Sequence, residues 1–423
     1  MSLWLLVVAL CVGVASFVVA QEPTDDKPAD DAQPIVERAR LATDEAPEAE
    51  PETPPVQAAP VATEVATDDK VVTARMKGPP GNRRVRIVRQ LIEDAGRVDW
   101  HRNGNLVFDR KVDGVYEIHQ ASATGDGDIC LTCDNRELRG AHKTSPSWYG
   151  NGSYVVFQVQ PARAARRLKQ DAGMMATPYR GLHAEVWAYG KADRDTWQLA
   201  EPLSGALNEP HLSAEPGRIV WSERETNRGR STFGGWALVV ADLEFRRGIA
   251  RLRDSEFYRP AAEDRYLMTH GFTPDERGVL FSGVPADEVY GETGLDLMVF
   301  DIESETVDVL TRTPRERDGA AHYTADGESL IWATNRGLEG RPNGLPYRSD
   351  LWIMPANGKG IAERLTFFND PASDHYLDEA LIDDFVLSPE GDALAAHVLS
   401  RPLGGEATEA IWLVQFRRTS GDP

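Results

Sequence analysis

The chain has 423 residues, with 46 Lys+Arg against 67 Asp+Glu and a formal net charge of −21. That length accommodates two or three ordinary domains or one large all-β domain with appendages, and 36 Gly and 27 Pro beside 8% aromatic residues suit a turn-rich β protein. So acidic a chain excludes nucleic acid as a default partner and argues against loose adhesion to anionic lipid. Its three cysteines, Cys11, Cys130 and Cys133, are too few for a disulfide-framework domain or a four-thiolate zinc site.

Residues 1–20 read as an export signal. The run from Ser2 to Ala20 is almost unbroken in its apolar character, and Val18, Val19 and Ala20 place short side chains before Gln21, as signal peptidase requires. The n-region lacks a charged side chain, and a run of this length also serves as a retained membrane anchor. Both readings export the rest of the chain, and membrane contact is expected only through an uncleaved N-terminus. Leu10 before Cys11 argues against a lipoprotein signal. Residues 21–80 read as a disordered acidic Pro/Ala-rich linker. Within 21–70 there are 14 acids, 4 bases, eight prolines and no aromatic residue, too little apolar surface to offset chain entropy. Between Arg75 and Arg89 the sign reverses, with Arg75, Lys77, Arg83, Arg84, Arg86 and Arg89 and no acid. A solvated strand face accounts for these best; an electrostatic partner for the linker is the other reading.

Residues 81–418 repeat. An aromatic residue or Leu, a turn with Gly or Asp, and a short β-branched run recur from Trp100 to Phe108, Trp148 to Phe157, Leu212 to Trp221, Phe272 to Phe281, Tyr323 to Trp332 and Leu387 to His397. Each reads as a hairpin. A third strand follows each (GVYEIHQA, AEVWAYGK, GWALVVAD, LDLMVFDI, SDLWIMPA, EAIWLVQF), and a fourth follows five of them (DICLTCD, TWQLAEP, IARLRDS, VDVLTRT, AERLTFF). Six such units make an all-β, six-bladed β-propeller of four-stranded antiparallel blades. The segment from Val85 to Glu93 supplies the missing strand of the sixth blade and closes the ring. Residues 419–423 form a C-terminal tail, and no hydrolase domain is expected after it.

The turns Thr273-Pro274-Asp275, Ala325-Asp326-Gly327 and Ser388-Pro389-Glu390-Gly391, each before a β-branched run, resemble the WD-repeat-like repeats of TolB-like propellers. Glu215-Pro216-Gly217 departs from the pattern. The resemblance implies the fold. It leaves function open, because that repeat family includes periplasmic partner-binding scaffolds, peptidase propeller domains and metal-using carbohydrate lyases.

In such a ring the innermost strands line a channel. The second-to-third connections are long in blades 2–6, and the longest, 158–184, carries Arg163, Arg166, Arg167 and Lys169. Long loops on a rigid scaffold favour binding, with tolerated surface insertions as the bland alternative. His211 and His322 stand one residue before the first-strand aromatic or Leu of their blades, and His270 two before. His142 and His375 lie in connections expected on the same face, joined by Asp99, Asp383 and Asp384. These groups suit ligand binding or, through His211, His270 and His322, one divalent metal ion; capping of strand-end amides or a wetted polar channel lining is the bland reading and accounts for them better. Cys130 and Cys133 read as a structural disulfide of an exported protein, with free thiols or a redox or metal role as alternatives. Haem attachment would need His at the position of Asp134, and no strand-to-helix context supports a thioredoxin-like motif. No nucleophile elbow, H-E-x-x-H, P-loop or dinucleotide fingerprint is present. The expectation is an exported, monomeric, non-enzymatic scaffold without cofactor that binds a protein or peptide of the cell envelope. The alternative is a metal-dependent lyase or hydrolase acting on an anionic polysaccharide.

Overall fold

A computed structural model describes residues 80–417 except 165–180, 203–206, 215–216, 227–233, 263–264, 291–293 and 341. All of these belong to the unit Ala74–Pro423. The expectations for the signal, for the linker up to residue 79 and for the tail 419–423 lie outside the described residues, and so do Arg166 and Arg167.

The turn residues fold their hairpins through side-chain chemistry. Thr273 Oγ1 donates to Asp275 Oδ1 at 2.6 Å and accepts from Gly278 N at 2.9 Å. Thr324 does the same with Asp326 and Ser329, at 2.6 and 3.0 Å. Ser388 Oγ bonds Asp392 and Ala393 N at 3.1 and 3.0 Å. A hydroxyl followed by an acid thus closes the turn on itself before the second strand begins.

Six four-stranded antiparallel sheets result. Blade 1 comprises β2 (Val98–Trp100), β3 (Asn105–Val112), β4 (Val115–Ser122) and β5 (Ile129–Cys130). Blade 2 comprises β6 (His142–Tyr149), β7 (Tyr154–Gln160), β8 (Glu185–Gly190) and β9 (Thr196–Ala200). Blade 3 holds β10 (Leu207–Leu212), β11 (Arg218–Thr226), β12 (Gly235–Arg246) and β13 (Ile249–Tyr258). Blade 4 holds β14 (Met268–Phe272), β15 (Gly278–Gly283), β16 (Asp296–Asp301) and β17 (Thr306–Val309). Blade 5 holds β18 (Asp318–Tyr323), β19 (Ser329–Thr334), β20 (Asp350–Pro355) and β21 (Glu363–Arg364). In blade 6, β22 (Glu379–Leu387), β23 (Ala393–Arg401) and β24 (Thr408–Phe416) are completed by β1 (Val85–Glu93), with Val88 opposite Val414 and Ile92 opposite Ile411. The closure expected from the sequence is the closure observed, and Arg86 and Arg89 of β1 are exposed.

The second strands read as continuous apolar runs because both of their faces are buried. Val155 and Phe157 pack with Val107 and Ile118 of blade 1, whereas Val156, between them, packs with Ile219 and Trp221 of blade 3. Likewise Val279 and Phe281 face blade 3 and Leu280 faces blade 5. The apolar clusters fill the blade-to-blade interfaces, and Leu106, Phe108 and Ile92 with Ala395 and Ile411 seal blade 1 to blade 6.

One expected detail is corrected. The sequences DICLTCD, VDVLTRT and AERLTFF were expected as whole fourth strands, but β5, β17 and β21 end before the Leu-Thr pair. The threonine has another task. Thr132, Thr311 and Thr366 accept from Ile118 N, Leu297 N and Leu351 N, each at 2.9 Å, and donate to Glu117, Asp296 and Asp350 at 2.6, 3.1 and 2.8 Å. The same knot therefore ties third strand to fourth in blades 1, 4 and 5.

Candidate functional site

Neighbouring innermost strands touch around the ring: β2, β6, β10, β14, β18 and β22 in order, and β22 meets β2 again. In blades 2–6 the pairing of first to second strand slips by a bulge. At or beside the slips in blades 2, 3, 4 and 5 stand Ser145, Glu209, Gly271 and Ala320, with φ of 51°, 39°, 110° and 27°. A bulge turns the strand and re-aims the residues after it. Backbone groups near these slips find partners across blades. Trp148 N donates to Asp99 Oδ2 at 2.6 Å, Ser145 N to Asp109 Oδ2 at 2.9 Å, and Val98 N to Asp384 Oδ2 at 3.3 Å.

Past the bulges, all six blades line one open cavity of about 780 Å³. Trp100, Trp148, Tyr149, Phe272 and Tyr323 give it an aromatic wall, and His101, His211, His270 and His322 stand among them. Beneath it lies a smaller space of about 60 Å³ bounded by Arg97, Asp99, Glu209, His211, His322 and Asp384.

The imidazoles are spoken for by the protein on one side. His211 Nε2 donates to Thr269 O at 3.1 Å, and His270 Nε2 stands 2.6 Å from Ser282 Oγ. The His322 ring packs edge-on against Phe385, with centroids 4.9 Å apart, and lies 6.4 Å from the His211 ring. Loss of water drives the pKa of His211 down to about 4 and that of His322 to about 3, and holds His270 well below its ordinary value. All three are neutral at pH 7. Burial also raises the Asp99 carboxyl, against the opposing bonds from Trp148 N and Trp100 N. Among the lining residues described, Arg102 is the one side chain with a fixed positive charge.

The metal expectation can be tested on these positions. Among the described residues, the one set of three His, Cys, Asp or Glu donors within 4.8 Å of one another is His119, Cys130 and Cys133. His211, His270 and His322 share the cavity without gathering their ring nitrogens to that distance. They do not form a preformed three-imidazole metal site.

The expectation that five histidines and the long loops crowd one face is corrected by strand polarity. His142 opens β6 and pairs with Gln160, where the longest connection departs; Trp148 lies at the far end of the same strand. At about 3.3 Å per residue the two ends stand roughly 20 Å apart. The cavity holding His211, His270 and His322 is on the hairpin face, whereas the second-to-third connections and the blade-to-blade entries are on the other. His142 sits on that other side, its Nδ1 accepting from Tyr116 N at 3.2 Å. Arg163 is exposed there, 3.8 Å from both Glu185 and Glu201. His375 belongs to a separate groove with Pro80, Arg83, Arg86, Phe367 and Arg417. Asp383 is buried inside blade 6, 3.9 Å from His397 Nδ1, while its neighbour Asp384 reaches the channel. Cys130 and Cys133 are disulfide-bonded.

No family model matches this chain, and no curated protein does. Solved structures do. TolB from Acinetobacter baumannii is similar over 75% of this chain and 65% of that one, at 11% identity and a TM-score of 0.44. A putative TolB from Agrobacterium tumefaciens is similar over 69% and 95%, at 14% identity and a TM-score of 0.43. An oligogalacturonate lyase in complex with manganese is similar over 78% and 93%, at 11% identity and a TM-score of 0.45. The likeness is one of fold. This chain spans just under two thirds of the length of the A. baumannii TolB. The sequence repeats located Trp100, Trp148, Phe272 and Tyr323 as strand markers, but His101 and Tyr149 are also part of the wall.

Proposed function

We propose that this propeller is an exported, non-enzymatic binding scaffold that receives a protein or peptide of the cell envelope at the channel mouth on its hairpin face. The observation that carries the reading is the open cavity to which every blade contributes, walled by five aromatic side chains and neutral imidazoles. Aromatic residues on a rigid scaffold bury large area at small entropic cost, which suits peptide recognition. An anionic polysaccharide would call for fixed cations, and Arg102 alone supplies one among the described lining residues. The export run Ser2–Ala20 supports an envelope setting. The test is photo-cross-linking from a benzophenone amino acid placed at Tyr323 in the cavity, with the same probe at Ile361 on the outside, 86% exposed, as control. A discrete envelope-protein adduct from Tyr323 alone supports the reading. The same adducts from both sites, or none from Tyr323, contradict it.

A further inference from the structure

The strand register of blade 1 brings together groups that the channel does not use. Cys130 of β5 pairs directly with His119 of β4, so their side chains share one face of the sheet. The chain then turns through Thr132, and Cys133 N donates to Cys130 Sγ at 3.0 Å. A ring nitrogen of His119 and the two sulfurs lie within 4.8 Å of one another. The imidazole is only 7% exposed, stacked near Phe108, and its Nδ1 is 2.8 Å from Asp128 Oδ1. Nε2 is buried without a hydrogen-bond partner. An acceptor-only carboxylate at Nδ1 places the proton of the neutral ring there and leaves the lone pair on Nε2.

A disulfide that served only as a staple would have no use for a buried, unpaired imidazole nitrogen beside it. A carboxylate that fixes the tautomer of a histidine and leaves the other nitrogen bare is the arrangement that orients a metal ligand. We propose that Cys130, Cys133 and His119 form a zinc site in the reduced protein, and that the disulfide is its closed, metal-free state.

The chemistry balances. A dithiol reductant gives two electrons and two protons to the S–S bond, leaves two thiols and becomes a disulfide itself. Zn²⁺ then displaces both thiol protons and takes two thiolates and one imidazole, with water in the fourth position. Donors around a tetrahedral zinc stand about 3.5–3.8 Å apart, so the sulfurs must part, while the imidazole already lies close enough to need only a small shift. Two thiolates and an imidazole favour a thiophilic ion over calcium or magnesium. Cys133 is exposed, which gives the reductant its approach.

The experiment uses the full chain with Cys11→Ser, reduced by a dithiol, freed of reductant without air, and titrated with Zn²⁺ against a chromophoric chelator. The reduced protein is expected to hold one equivalent and the oxidised protein none. Asp128→Asn should weaken zinc about 10- to 100-fold, and His119→Gln more. Co²⁺ in place of zinc should give a thiolate charge-transfer band that Cys130→Ser abolishes. No stoichiometric zinc in the reduced protein overturns the proposal. So does equal binding by the oxidised form, a disulfide that resists the dithiol in the folded protein, or unchanged affinity in folded His119→Gln. Circular dichroism establishes folding, and Asp128→Asn keeps every ligand should His119→Gln not fold.

Discussion

Thr366 shows how much one hydroxyl carries. It donates to the buried Asp350 at 2.8 Å and accepts from Leu351 N at 2.9 Å. Thr366→Val keeps the volume but strands a buried N–H and removes a donor from a buried carboxylate. The expected loss is about 1–3 kcal/mol, read by urea unfolding; an unchanged midpoint would deny the knot its role. Asp384 tests electrostatics at the same scale. Burial and the neighbouring Asp383 push its pKa up from 3.8 to about 7. The folded state therefore binds more protons than the unfolded state between about pH 4 and 7, and stability linked to this group falls as pH rises through that window. Asp384→Asn removes the linkage, so its melting temperature relative to wild type should climb from pH 4 to pH 8. A pH-independent difference would contradict the assignment. None of this is legible in sequence. Leu-Thr looks like strand, and the Asp384 carboxyl depends on a bulge that composition does not announce. His119 was missed similarly, because only the register sets it against Cys130.

Elements were legible where period and turn chemistry agree. The hairpins from Phe272 to Phe281 and Tyr323 to Trp332 combine a capped turn with a run buried on both faces, and each forms where expected. The closing strand followed from a count of strands, and Ile92 locks it by packing with Val98, Leu106 and Ile411. Ile92→Ala should cost about 2–4 kcal/mol. Removing residues 80–93 should bare the edge of β24 and drive self-association, seen by sedimentation. A monomeric deletion variant of unchanged stability would mean that β1 is dispensable. Which face holds the histidines was misread even though strand polarity decides it. His211 and His322 sit at the ends of β10 and β18, after the bulges, whereas the connections leave from the opposite ends of the second strands. The irregular first strands hide this, because a slip such as that between Thr144 and Ser147 breaks the alternation that sequence reading relies on.

At the scale of the molecule, the ring converts six short strand ends into one wall. No single blade makes this cavity; it exists because adjacent blades are sealed by apolar clusters and the last blade is sealed to the first. The two faces then differ in kind. The hairpin face holds the aromatic-walled cavity within a rim of charged turns, and the other carries the second-to-third connections with exposed Arg163. That difference sets the most direct measurement: capture of envelope proteins by the immobilised full chain, comparing Trp100→Glu/Tyr323→Glu with Arg163→Glu, each checked for an unchanged melting profile. Loss of an aromatic anchor at an interface typically costs about 2 kcal/mol or more, near 30-fold in affinity. The account predicts that the partner retained by wild type is lost from Trp100→Glu/Tyr323→Glu and kept by Arg163→Glu. Retention by the cavity variant, or loss from Arg163→Glu alone, would contradict it.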